Sequence, residues 1–213
     1  ALGHLVTGSD QKEAINVNGG QIVPAAIQGI HLGRQGHPGE KIGVFLENSS
    51  FNGIIEKNTG VGIFGTMTSN ISSLFDTILP VAMVEEVRPG PAEIMTVIEG
   101  EKVERFSIEI ERVMAYQRAS GKGLIIRITD PKLLSTAGGI VQGMSGSPII
   151  QNGSLVGAVT HVFINEPNKG YGVLAEWMLQ ETDLTSLSVY AVITRGFTSK
   201  SPGFNNYLMI IVK

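Results

Sequence analysis

Residues 138–161 read GGIVQGMSGSPIIQNGSLVGAVTH, and their order of glycines, apolar runs and hydroxyls decides how the rest of the chain is read. Asn152–Gly153 stands between two apolar segments and predicts a β-hairpin, because the favoured two-residue turn needs positive φ at both central positions. Just ahead of it, Gly143, Gly146 and Pro148 crowd around Ser145. A strand interior is weakened by Gly and loses a ladder donor at Pro, so 143–148 is a tight bend between strands. Such a bend holds one hydroxyl, that of Ser145, at the edge of a sheet. A plain Gly/Ser connecting loop is the other reading of the same residues.

Outward from this stretch the same signals recur. QGHPGEKIGVFLE (35–47) is a Gly/Pro turn feeding a strand, and FNGIIEKNTGVGIFGTMTS (51–69) is a hairpin turning at 57–60. AEIMTVIEGEKVERFSIEIERV (92–113) is a second hairpin, turning at 99–101. Its return arm sets Phe106, Ile108 and Ile110 against Ser107, Glu109 and Glu111, the period-2 pattern of a half-buried strand. KGLIIRITD (122–130) is a buried strand ending in an acid. Helical patterns are short: ISSLFDTIL (71–79) and VLAEWMLQE (173–181). Many short strands with regular turns predict an all-β barrel or sandwich.

The composition agrees. Of 213 residues, 42% are hydrophobic, enough for a core, while 16% are charged and 27 are Gly; soluble domains average ~25% charged. The net charge of −3 gives no electrostatic reason to expect nucleic acid or an anionic membrane. Without cysteine there are no disulfides, zinc–thiolate sites or thiol nucleophiles. No apolar run reaches the ~18 residues of a membrane span, and no stretch of these residues reads as a signal peptide. As the chain starts at Ala1, a processed domain or fragment is expected, with any export signal upstream.

A serine hydroxyl attacks at neutral pH only with a base to take its proton, an orienter for that base and donors for the oxyanion. The bend supplies donors: the amides of Gly143 and Ser145 can converge on one point. Four histidines are available as base. His31 and His37 lie in a polar turn region, and His161 ends an apolar strand as a pocket-lining or core residue. His4, in ALGHLVTG, sits among small residues that allow close approach. For the orienter there is Asp130, at the end of LIIRITD, or Asp76 in the helical pattern.

ALGH (1–4), RITDPKLLSTAGGIVQGMSGSPIIQNGSLVGAVTHVF (127–163) and GYGVLAEWML (170–179) together resemble the peptidase domain of stage IV sporulation protein B (SpoIVB), a family of trypsin-like serine peptidases of spore-forming bacteria. The resemblance runs from residue 1 to about 179. It implies a trypsin-like double β-barrel over 1–184, with halves meeting near 85–95 at the Gly/Pro loop EVRPGPAE (86–93), and a tail, 185–213, of unknown role that lies outside it. A further implication is a catalytic triad of His4, Asp130 and Ser145, with Gly143 and Ser145 amides as the oxyanion hole and His161 as a wall of the substrate pocket. Because Asp130 belongs to the same half as Ser145, it would have to reach the imidazole from there. No metal or organic cofactor is implied. The implied setting is the space between the two forespore membranes, where such a peptidase cleaves a membrane-anchored regulator and so triggers activation of a sigma factor. A barrel whose catalytic loop has decayed into a peptide-binding module, or a trypsin-like protease outside sporulation, are the competing expectations.

Overall fold

A computed structural model describes residues 4–5, 20–46, 53–67, 77–182, 190–193 and 208–209. It is all-β with short helical segments. In the N-terminal half, β1 (Gln21–Ile22), β4 (Gly53–Thr59) and β5 (Gly62–Met67) form one antiparallel sheet, while β2 (Ala25–His31) and β3 (Glu40–Phe45) pair as a hairpin. The C-terminal half closes into a six-stranded antiparallel barrel. Its strands are β7 (Gly90–Val97), β8 (Val103–Val113), β9 (Leu124–Ile128), β10 (Pro148–Gln151), β11 (Ser154–Phe163) and β12 (Glu166–Leu174), joined in the order β10-β11-β12-β9-β8-β7.

Each hairpin of the barrel follows from its residues. The 92–113 stretch pairs β7 with β8 around Gly100, whose φ is 57°. On β8, Phe106, Ile108 and Ile110 are buried, and the polar residues between them face outward. Asn152 and Gly153 take φ of 51° and 79°, the double positive φ that turns β10 into β11. The barrel closes where Ile149 and Ile150 of β10 pair with Ile94 and Glu93 of β7. Its interior is filled by Ile94, Leu124, Ile126, Ile149 and Val159, all inaccessible to solvent. The connector before β7 is held by one side chain. Gln151 Nε2 donates to the Arg88 and Pro91 carbonyls at 2.9 and 3.2 Å, and its Oε1 accepts from Arg88 N–H at 3.1 Å.

One helical expectation needs revision. Residues 77–79 belong to β6 (Thr77–Pro80), which pairs antiparallel with β13 (Tyr190–Ile193), itself parallel to β14 (Leu208–Met209); pairing to a distant segment outweighs a short local pattern. Residues 71–76 of that pattern lie outside the described residues. Conversely, α1 (Pro131–Ala137) occupies a stretch with no helical expectation, and α2 (Ala175–Leu179) falls within the expected 173–181. Too short for a periodic stripe, α1 is written in its ends: Asp130 at the N-cap, Pro131 at the first position, and Gly138 in the left-handed region after it.

The segment that follows α1 is seated from both sides. Gly33 N–H donates to the Ala137 carbonyl at 2.8 Å, Gln142 N–H to Gly39 at 2.8 Å and Lys41 N–H to Gln142 at 2.9 Å, which docks the β2–β3 hairpin. From the barrel, the Pro167 carbonyl accepts from Ile140 N–H at 2.7 Å. Gly138 has φ 75°, and a Cβ there would run into the Gly33 carbonyl. Gly138→Ala is therefore expected to lose about 1–3 kcal/mol by strain and overpacking, read as a lower urea midpoint. An unchanged midpoint would mean that the hairpin does not press on this segment.

Candidate active site

Ser145 sits on the bend between α1 and β10. Fully buried Met144 anchors the preceding side. On the other side Gly146 N–H donates to the Val159 carbonyl at 2.8 Å, and Val159 N–H donates to the Ser147 carbonyl at 2.9 Å. Ser147 N–H closes the turn onto the Met144 carbonyl at 2.9 Å. Gly143 and Gly146 take φ of 90° and 89°, conformations open to glycine at little cost. The loop is thus fixed to β11, which brings Thr160 and His161 beside Ser145.

The structure brings His4 and Ser145 together. His4 Nε2 lies 3.1 Å from Ser145 Oγ, and its Nδ1 lies 2.8 Å from the Leu5 carbonyl. A carbonyl only accepts, so Nδ1 carries the proton and a neutral His4 presents a bare Nε2 to the serine. Ser145 Oγ also donates to the Thr160 carbonyl at 2.7 Å. The hydroxyl therefore has one proton and two acceptors: the Thr160 carbonyl stores it at rest, and Nε2 can take it. The His161 ring stands 4.8 Å from that of His4, tilted by 37°. Burial, then His4 and Lys122, push the His161 imidazole below the usual histidine range. The shift favours the neutral form of His161 beside His4.

Among the described residues, neither the Gly143 nor the Ser145 amide donates to a carbonyl, and unspent amides on a fixed bend are what an oxyanion requires. Behind Gly143 runs Lys41 of β3: a Cβ on Gly143 would meet the Lys41 stem at 3.1–3.4 Å. Lys41 Nζ donates to Thr96 Oγ1 at 2.6 Å, and burial lowers its pKa to about 7.

Asp130 is not brought to His4. Its Oδ1 accepts from Leu133 N–H at 3.0 Å as the N-cap of α1, and its Oδ2 accepts from Ser107 N–H at 3.4 Å. An aspartate directly before the proline of a helix start is in the best position to cap it, and here both oxygens serve the backbone. Asp76 lies outside the described residues. His31 pairs with Glu40 at 3.0 Å on the surface, and His37 closes a turn with Arg34. The Leu5 and Thr160 carbonyls had no signature in the sequence, since any residue type supplies them. Lys41 was equally unreadable, standing in a strand as a solvated lysine would.

The SpoIVB peptidase S55 family matches residues 1–179. No curated protein matches the chain.

Two outcomes follow from this geometry. Asp130→Ala should cost about 1 kcal/mol through the lost cap, while Asp130→Asn, an equally good cap, should keep stability and most activity. A loss on the order of 10⁴ in kcat for the Asn variant, the signature of a wrong tautomer, would return Asp130 to His4 as its orienter. For Lys41, the folded amine gives up its proton near pH 7 and the unfolded one near 10.5. Between these values the unfolded chain binds more protons, so stability rises with pH across that window. Urea midpoints measured from pH 7 to 10 should climb in the wild type and flatten in Lys41→Met.

Proposed function

From the premise that this chain belongs to the SpoIVB peptidase S55 family, and so is a serine peptidase hydrolysing peptide bonds in a protein substrate, we propose that Ser145 is its nucleophile and His4 its general base. The observation that carries this assignment is the 3.1 Å approach of His4 Nε2 to Ser145 Oγ. As Oγ attacks the scissile carbonyl carbon, its proton passes to Nε2, and the new alkoxide is held by the Gly143 and Ser145 amides. The C–N bond then breaks, and the departing amine takes the proton back from Nε2. Water repeats the attack on the acyl-enzyme with His4 again as base, which frees the acid and restores the hydroxyl. The Leu5 carbonyl holds His4 in the tautomer this needs, and Asp130 acts at a distance by capping α1. His161, on the strand beside Ser145, lines the substrate side of the imidazole.

The biological setting is part of the same proposal. The family's defining role supports a signalling peptidase of sporulation that acts outside the cytoplasm on a membrane-anchored regulatory protein. Among the described residues no helix is long and apolar enough to cross a membrane.

Two hydroxyls in the loop separate this reading from a binding module. Ser147 has no exposure and bonds Thr96 Oγ1 at 3.0 Å, so a fluorophosphonate cannot reach it. Ser145→Ala is expected to abolish the covalent adduct and leave only the ~10³–10⁴ over water that binding and the oxyanion hole retain. Ser147→Ala should still label, at a modestly reduced rate. Peptide mass mapping locates the adduct. Its absence from the wild type, or its presence on any other serine, contradicts the assignment.

A further inference from the structure

The geometry points to Lys41 as a positioning residue that holds the oxyanion amide of Gly143 in place, through its stem and through a buried Thr96–Ser147 hydroxyl pair. The catalytic part of this inference rests on the peptidase reading above; the structural coupling does not.

Three contacts carry it. The Lys41 backbone is already joined to the loop, its N–H donating to the Gln142 carbonyl one residue before Gly143. The aliphatic stem then lies against Gly143, where a Cβ would sit 3.1 Å from Lys41 Cβ and 3.3 Å from its Cδ. The amine crosses to the barrel and meets Thr96 Oγ1 of β7 at 2.6 Å, and Ser147 Oγ bonds the same oxygen at 3.0 Å. Thr96 and Ser147 are both wholly inaccessible. One side chain thus backs the bend before Ser145 and ties down the residue two places after it.

Among the described residues, nothing of opposite charge explains Lys41, and no carboxylate pairs with it. Across the β2–β3 ladder stands Ile30, β7 offers Thr96, and the loop offers Gly143, with Ser147 joined through Thr96. Its strand neighbour Glu40 is exposed and pairs with His31. An amine in such a place gives the proton count a direction. When it is neutral, Ser147 donates to Thr96 and Thr96 donates to Nζ, so every hydroxyl proton has an acceptor. When it is an ammonium, Thr96 Oγ1 accepts from both Nζ and Ser147, and the Thr96 proton loses Nζ as its acceptor. Replacing an unpaired buried charge by an apolar side chain of similar length is neutral or stabilising. A merely structural role therefore predicts no loss of function in Lys41→Met.

The test compares wild type, Lys41→Met and Thr96→Val by urea unfolding, by fluorophosphonate labelling rate, and by KM on a mixed peptide substrate. The Gly143 amide resonance is followed against pH in a His4→Ala background. Lys41→Met should melt at or above the wild type yet label more slowly, by a factor on the order of 10–10², the scale of a misplacement of about 1 Å. KM should be little changed. The Gly143 resonance should titrate with a midpoint of about 7 and stand still once Lys41→Met is added. Thr96→Val, which keeps the lysine, should give a smaller loss in the same direction and decides the matter if Lys41→Met does not fold. Wild-type labelling rates in both variants, with a Gly143 resonance indifferent to Lys41, overturn the proposal. A wild type that never labels but whose Gly143 resonance follows Lys41 refutes the peptidase reading alone and supports the coupling.

Discussion

The double hydrogen bond between the serine loop and β11, Gly146 N–H to Val159 and Val159 N–H to Ser147, is the constraint on which the site depends. It fixes the bend to a strand whose own place is set by closure of the barrel. These are buried backbone groups, and leaving one unpaired costs ~1–3 kcal/mol, so the loop cannot drift without breaking the ladder. From this clamp follow the nearness of the Thr160 carbonyl to Ser145 Oγ and of the His161 ring to His4. The short turns on either side of it exist because Gly143 and Gly146 accept positive φ.

The other half of the chain completes what the clamp begins. His4 comes from the first residues, and Lys41 comes from a hairpin that hydrogen-bonds the segment leading into the loop. Ser145 alone is a weak nucleophile held against a carbonyl. With His4 at 3.1 Å its proton has a second destination, and with the β2–β3 hairpin docked the Gly143 amide has a rigid backing. Preorganised donors of this kind act where charge develops and need no rearrangement as the reaction proceeds.

Much of this was legible before any coordinate. Asn152–Gly153 specified its turn, the β8 alternation specified which side chains enter the core, and the glycine bend singled out Ser145. The helical reading of 71–79 failed at 77–79, because pairing of Thr77–Pro80 with Tyr190–Ile193 is non-local and no window of sequence contains both strands. Asp130 was the harder case. An aspartate between a buried strand and a proline serves equally well as a catalytic orienter and as a helix cap, and only the positions of Leu133 N–H and Ser107 N–H separate the two. Carbonyl partners such as Leu5 and Thr160 are invisible in principle, since they belong to the backbone. The burial of Lys41 depends on β7 and the serine loop, both distant in sequence.

The account's central claim is that His4 and Ser145 act as one unit, and a double-mutant cycle measures this most directly. The quantity is kcat/KM for peptide hydrolysis by the wild type, His4→Ala, Ser145→Ala and the double variant. Residues that share a proton transfer are grossly non-additive, so either single change should cost nearly as much as both together. Costs that add in the double variant, or hydrolysis that survives the loss of either side chain, would contradict it.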